Sequence, residues 1–210
     1  MPHEPHPWRL KEMSPIAVQE RLLARPTLIV PVGTTEQHGP HLPLGCDTII
    51  VEHLADDLSS AFGVVRAPAV EYGVQPPAHP FPGGAALRRK TLHRVMNELI
   101  ESWEDGAGVR EFVIITAQAA DPHLEALSTI RTDEASTMAI DIFGLDFGDL
   151  LEVPAAPAQG GELDTSLMLY LAPSLVRLEL ARGALPASAR KGERLYRFIL
   201  DRVGRCLTGT

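Results

Sequence analysis

The sequence is poor in aromatic side chains: tryptophan, tyrosine and phenylalanine make up 5% of it. Modules that bind nucleic acid by stacking bases on aromatic platforms are therefore not expected. Basic charge is also short. Lysine and arginine number 19 against 27 acidic residues, a net charge of −8, which excludes the basic stripe that a phosphate backbone attracts. Cysteine is limited to Cys46 and Cys206, too few for a disulfide framework. No apolar run approaches the ~20 residues of a membrane-spanning helix. The opening residues Met1 to His6 carry no basic-then-apolar signal pattern. The expectation from these absences is a cytoplasmic protein with a small-molecule partner, no nucleic acid and no membrane.

What is present is an ordinary soluble composition. The 210 residues, with 45% hydrophobic content, suit a single domain over 1–210 with a full core. Strand-like and helix-like stretches alternate. Residues 27–33 form a continuous apolar run, as in a strand buried on both faces. Further strands are expected at 64–70, 111–116 and 138–145. Helices are expected at 14–24, 48–62 with Asp47 as cap, and 91–105, where Leu92, Val95, Met96, Leu99, Ile100 and Trp103 keep helical spacing. Others are expected at 122–132 capped by Asp121, at 165–171, 173–181 and 193–207. A Pro/Gly-rich loop fills 75–84. Strands separated by helices imply βαβ units, hence an α/β/α fold with a mostly parallel central sheet. Ligands of such sheets bind beyond the carboxyl ends of the strands. That places 36–47 and 116–121 at one crevice.

The run Glu36-Gln-His-Gly-Pro-His-Leu-Pro-Leu-Gly45, followed by Cys46 and Asp47, concentrates metal-ligand chemistry after the first long strand. In extended backbone, positions two apart point to the same side, so Glu36 and His38 can converge on one ion. Pro40 and Pro43 constrain the loop between them and Asp47. Mixed oxygen and nitrogen donors suit Zn or Mn better than calcium. Cys46 lies in the same run, where a thiolate can bind metal; its residue type favours burial as a small apolar side chain.

The stretch from Val32 to Asp47 resembles the signature of the creatininase (creatinine amidohydrolase) family. Tyr72-Gly-Val74 followed by Phe81-Pro-Gly83 is similar to that family's Tyr-Gly…Phe-Pro-Gly loop. Gly160-Gly-Glu-Leu-Asp-Thr-Ser-Leu-Met-Leu169 is similar to its Ala-Gly-Glu-x-Glu-Thr-Ser-x-Met-Leu helix. The resemblance spans residues 8–177. It implies a creatininase-like α/β/α domain, assembled as a homo-oligomer, commonly a hexamer, with one or two divalent ions per subunit. It also implies hydrolysis of C–N bonds in cyclic or linear amides. It marks Glu36, His38 and Asp47 as metal ligands, with Asp47 bridging, and Glu162 as a ligand or acid/base group. His41 is a candidate catalytic or substrate-contacting residue. Tyr72, Gln118 and His123 are candidates for contacting substrate or supporting the ligands.

The chain departs from the family pattern at a second ligand element. Where the family carries Asn-Gly-His-Gly-Gly-Asn, this sequence reads Thr116-Ala-Gln-Ala-Ala-Asp121, so Gln118 stands in the place of a histidine. Gln159 replaces another. In the 75–84 loop, Ala78 occupies a histidine position and His79 follows it. A neutral amide is a weaker ligand than imidazole. The site then either binds a single ion through Glu36, His38, Asp47 and Glu162, or takes His123 as substitute, or has lost metal. The functions to be distinguished are a metal-dependent amidohydrolase cleaving a small-molecule amide, a diverged biosynthetic enzyme with other chemistry, and a non-catalytic subunit.

Overall fold

A computed structural model describes residues 6–75, 82–153, 159–183 and 185–208. Five strands form one parallel sheet: β1 (Trp8–Arg9), β2 (Thr27–Val32), β3 (Val65–Arg66), β4 (Glu111–Thr116) and β5 (Ser136–Asp141), in the spatial order β1-β3-β2-β4-β5. The central pair β2 and β4 runs in register from Thr27 opposite Glu111 to Val32 opposite Thr116. Among the described residues six α-helices cover the sheet: α1 (Pro15–Ala24), α2 (Cys46–Phe62), α3 (Arg89–Ala107), α4 (Asp121–Ser128), α5 (Glu162–Leu171) and α6 (Ala189–Thr208).

The alternation of the strands divides the core into two layers, because successive side chains leave opposite faces. Ile29, Val113 and Ile115 meet Ile50 and Leu54 of α2, Leu167 of α5 and Leu195 and Ile199 of α6. Leu28, Val30, Phe112 and Ile114 meet Leu22 of α1, Leu92, Met96 and Ile100 of α3, and Leu127 of α4. The expected α/β/α fold with a mostly parallel sheet is thus present.

Several expected boundaries shift for physical reasons. The strand expected at 64–70 pairs as a strand only at Val65–Arg66. Ala67 N–H still donates to Ile29 O at 2.8 Å, but one extra residue intervenes before Val70 N–H donates to Pro31 O at 3.0 Å, so the register slips around Pro68. Neither Asp47 nor Asp121 caps its helix by a side-chain hydrogen bond. Gly45 and Ala120 occupy the cap positions, and both aspartates lie inside the first turn. The helix expected at 173–181 is instead two short turns, Pro173–Leu175 and Leu178–Leu180, separated where Arg177 N–H donates to His41 O at 2.8 Å. The strand expected at 138–145 begins earlier and ends at Asp141.

The topology also creates a crevice. After β2 the chain crosses to β3 on one side, and after β4 it crosses to β5 on the other. Two central strands whose connections diverge leave a gap at their carboxyl ends. The segments 33–45 and 117–120 leave β2 and β4 at that gap.

Candidate metal centre

Beyond β2 the chain folds into a tight loop, clamped where Glu36 N–H donates to Leu44 O at 3.0 Å. Glu36, His38, His41 and Asp47 are all buried. His38 Nε2 lies 2.9 Å from Asp47 Oδ1 and 4.0 Å from Glu36 Oε1, so the two positions of the Glu-x-His pair do converge. The contact to Asp47 is an ion pair when the ring is protonated, and Oδ1 has no further partner. The other ring nitrogen, Nδ1, faces Glu36 O at 3.3 Å. A carbonyl only accepts, so Nδ1 carries the proton and Nε2 is the nitrogen that can ligate.

Each carboxylate is held by one oxygen; the other takes no hydrogen bond, and that of Asp47 faces the His38 ring. Asp47 Oδ2 accepts from Thr34 Oγ1 at 2.6 Å, and Thr34 O in turn accepts from Thr48 Oγ1 at 3.1 Å. Glu36 Oε1 accepts from Gln118 Nε2 at 2.6 Å and from Gln159 Nε2, while Oε2 is buried without a partner. Asp164 Oδ2 accepts from Gly160 N–H at 2.7 Å, while its Oδ1 is likewise buried and unpartnered. Bare buried carboxylate oxygens are costly unless a cation meets them. The donor set therefore fits a divalent ion, with imidazole and carboxylate ligands appropriate to zinc or manganese.

The electrostatics agree. Burial, reinforced by the neighbouring charge of Asp47, pushes the Glu36 carboxyl up to about 7. Burial and Asp47 raise Asp164 to about 6, against the opposing pull of His38. Burial alone lowers the pKa of His38, but the attraction of Asp47 outweighs it and the value rises to about 9. Negative charge thus exceeds what one imidazolium balances, and the pocket holds protons where a metal would replace them.

The remaining candidates separate. His41 Nε2 meets Thr165 Oγ1 at 2.9 Å, and Thr165 Oγ1 donates to Gly160 O at 3.3 Å. The hydroxyl has spent its proton, so His41 donates through Nε2, and Nδ1 is a buried lone pair with no partner. Burial lowers the pKa of His41, keeping it neutral. Gly160 makes this approach, at φ 73° and with the His38 carbonyl where a Cβ would lie; only glycine fits there.

Glu162, expected as a ligand or proton donor, is engaged outside the cluster. Its oxygens accept from the backbone N–H groups of Glu152 at 3.0 Å and Val153 at 2.9 Å and pair with Lys191 Nζ. Asp164, two residues on, is the carboxylate that α5 turns toward His38. The signal for Asp164 in the sequence is its match to the second acidic position of the family helix.

Gln118 does not stand in for a ligand. Its Oε1 accepts from Ala120 N–H at 3.0 Å, so the amide presents its N–H₂ to Glu36. His123, expected as a substitute ligand or a residue contacting substrate or supporting the ligands, is fully buried with both nitrogens engaged. Nδ1 accepts from Val74 N–H at 3.1 Å and Nε2 meets Thr116 Oγ1 at 3.0 Å. Tyr72 is 50% exposed on the loop, outside the buried group. Phe81, Ala78 and His79 lie outside the described residues. Cys46, read from its type as apolar filling, is buried but offers Sγ within 4.8 Å of the ligand atoms of His38 and Asp47.

Comparison with known proteins places this geometry in a context. The family model described as creatinine amidohydrolase matches residues 11–202. A mycofactocin precursor peptide peptidase of Mycolicibacterium smegmatis is 33% identical over 70% of this chain and 59% of its own length. A creatinine amidohydrolase of Pseudomonas putida is 25% identical over 77% of this chain and 70% of its own. The chain spans about three fifths of the length of the peptidases it matches. A crystal structure of creatinine amidohydrolase superposes with a TM-score of 0.82 over 96% of each chain, at 20% identity; that likeness shows a shared fold. With the family model covering five of the six α-helices in full, most of α6 and four of the five strands, the chain belongs to the creatininase family.

Proposed function

We propose that this chain is a divalent-metal-dependent hydrolase that cleaves an amide C–N bond of a small molecule. The observation that carries this reading is the buried group of His38, Asp47 and Glu36 beyond β2, with one oxygen of each carboxylate taking no hydrogen bond. His38 Nε2, Asp47 Oδ1 and Glu36 Oε2 would hold one ion, with Asp164 Oδ1 beside it. Solved creatininases of the same fold are described as manganese and zinc forms, which supports either metal here. A divalent ion at this position supplies a Lewis acid for the amide carbonyl and makes water a better nucleophile near neutral pH.

The chain's own residues do the rest. Thr34 fixes Asp47, and the Gln118 and Gln159 amides hold Glu36 by Oε1, leaving Oε2 without a hydrogen bond. Neutral His41, anchored through Nε2 on Thr165, keeps Nδ1 without a partner and would serve as the base that takes the proton of the attacking water and returns it to the leaving nitrogen. Assembly as a homo-oligomer, a hexamer by family resemblance, a single domain over 1–210 and a cytoplasmic setting belong to the same proposal. No helix among the described residues is long and apolar enough to cross a membrane.

A peptide-derived substrate is the second reading, supported by the 33% identity to a precursor peptide peptidase. Hydrolysis of cyclic and linear amides, including short peptides, is tested before and after exhaustive chelation. Activity abolished by chelator and restored by zinc or manganese supports the proposal. Activity that survives chelation contradicts it and favours diverged chemistry; copurification with an active paralogue favours a non-catalytic subunit.

A further inference from the structure

We propose that Cys46 is a thiolate ligand of the metal, making this a site of softer character than its imidazole and carboxylates alone provide. The inference rests on the proposed metal site and adds a donor that the Glu-x-His…Asp pattern does not contain. Cys46 opens α2 with its side chain buried, and its Sγ, a ring nitrogen of His38 and a carboxylate oxygen of Asp47 all lie within 4.8 Å of one another. Donors bound tetrahedrally to one ion at about 2.0–2.3 Å stand about 3.3–3.6 Å apart, so an inward movement of about an ångström brings all three onto a common centre.

A further observation points to a cation beside the thiol. Asp164 Oδ1 is buried with no hydrogen-bond partner, and Asp47 Oδ1, next in sequence to the thiol, meets only the His38 ring. Cys46 belongs to the apolar core and has the carboxylates of Asp164, Asp47 and Glu36 as its charged neighbours, so the thiol sits where the core meets the ligand group. The position where an imidazole would be expected carries Gln118, which offers Glu36 its N–H₂ and cannot ligate. A thiolate from α2 supplies the soft donor lost from the end of β4. On binding, the S–H bond breaks heterolytically: sulfur keeps the electron pair as the metal–sulfur bond forms, and the proton leaves to solvent. Soft donors select zinc and cobalt over manganese.

The test is loading the metal-free protein with Co²⁺ and recording its absorption and cobalt content. A thiolate-to-cobalt charge-transfer band in the near ultraviolet is expected in the natural chain and in Cys206→Ser. In Cys46→Ser that band should vanish while visible ligand-field bands and bound cobalt persist. In the same variant zinc affinity should fall by about tenfold or more, and manganese affinity should change by less than about threefold. Should Cys46→Ser fail to fold by circular dichroism, the cadmium NMR resonance of the unmodified chain decides, since a thiolate ligand moves it strongly downfield. Bound cobalt without the charge-transfer band, a band that survives Cys46→Ser, or a cadmium resonance typical of oxygen and nitrogen ligands alone would overturn the proposal while leaving the metal site standing. Failure to take up cobalt at all would overturn both.

Discussion

Gln118 Nε2 donates to Glu36 Oε1 at 2.6 Å, joining the loops that leave the two central strands. The bond assigns the amide a definite task. It occupies one oxygen of a buried carboxylate and leaves the other for a ligand. Replacing Gln118 with alanine removes a hydrogen bond to a charged acceptor and should cost about 1–3 kcal/mol. Gln118→His should instead raise the zinc bound per chain above that of the natural protein, because a second imidazole then faces Glu36. Thermal denaturation and elemental analysis of the two variants check these outcomes.

Glu162 and Asp164 should behave oppositely on mutation. Glu162 holds the 152–153 backbone and Lys191, so Glu162→Gln should lower the melting temperature and spare metal affinity. Asp164→Asn should reduce metal affinity by about tenfold with a smaller effect on the metal-free fold. Calorimetric titration with zinc distinguishes the two; equal losses of affinity would contradict the geometry.

His123 should impose a slope on acid stability. Burial depresses its pKa from 6.5 to about 4. Between those values the unfolded chain binds a proton that the folded chain refuses. The contribution is therefore fully present above pH 6.5 and is lost progressively as the pH falls toward about 4, amounting to about 3 kcal/mol at the limit. In metal-free protein, His123→Gln should flatten this part of the stability-versus-pH curve. An unchanged slope between pH 6.5 and 4 would show that His123 titrates normally.

The layer structure was legible in the sequence because β2 and β4 are continuous apolar runs, and α3 and α6 carry clear apolar stripes. Local signals failed where a single backbone group decided. Pro68 interrupts β3, and the bond from Arg177 to His41 O divides the segment after α5. At the site, the loop signature located Glu36, His38 and Asp47 together, since all three lie within twelve residues. It could not say which of Glu162 and Asp164 faces the pocket, because residues two apart on a helix point in different directions. Nor could it show that His123 is enclosed: its hydrogen bonds reach Val74 and Thr116, and only tertiary packing sets that arrangement. The thiol of Cys46 was visible, but its nearness to His38 depends on how α2 starts at Gly45.

The most direct test of the account is the divalent metal content of the purified protein after saturation with zinc or manganese and removal of the excess, set against the same measurement on an Asp47→Asn, His38→Ala double variant. The account predicts one firmly held ion per natural chain and none in the folded double variant. A natural chain that holds no ion under saturating supply, or a double variant that holds as much, would contradict it.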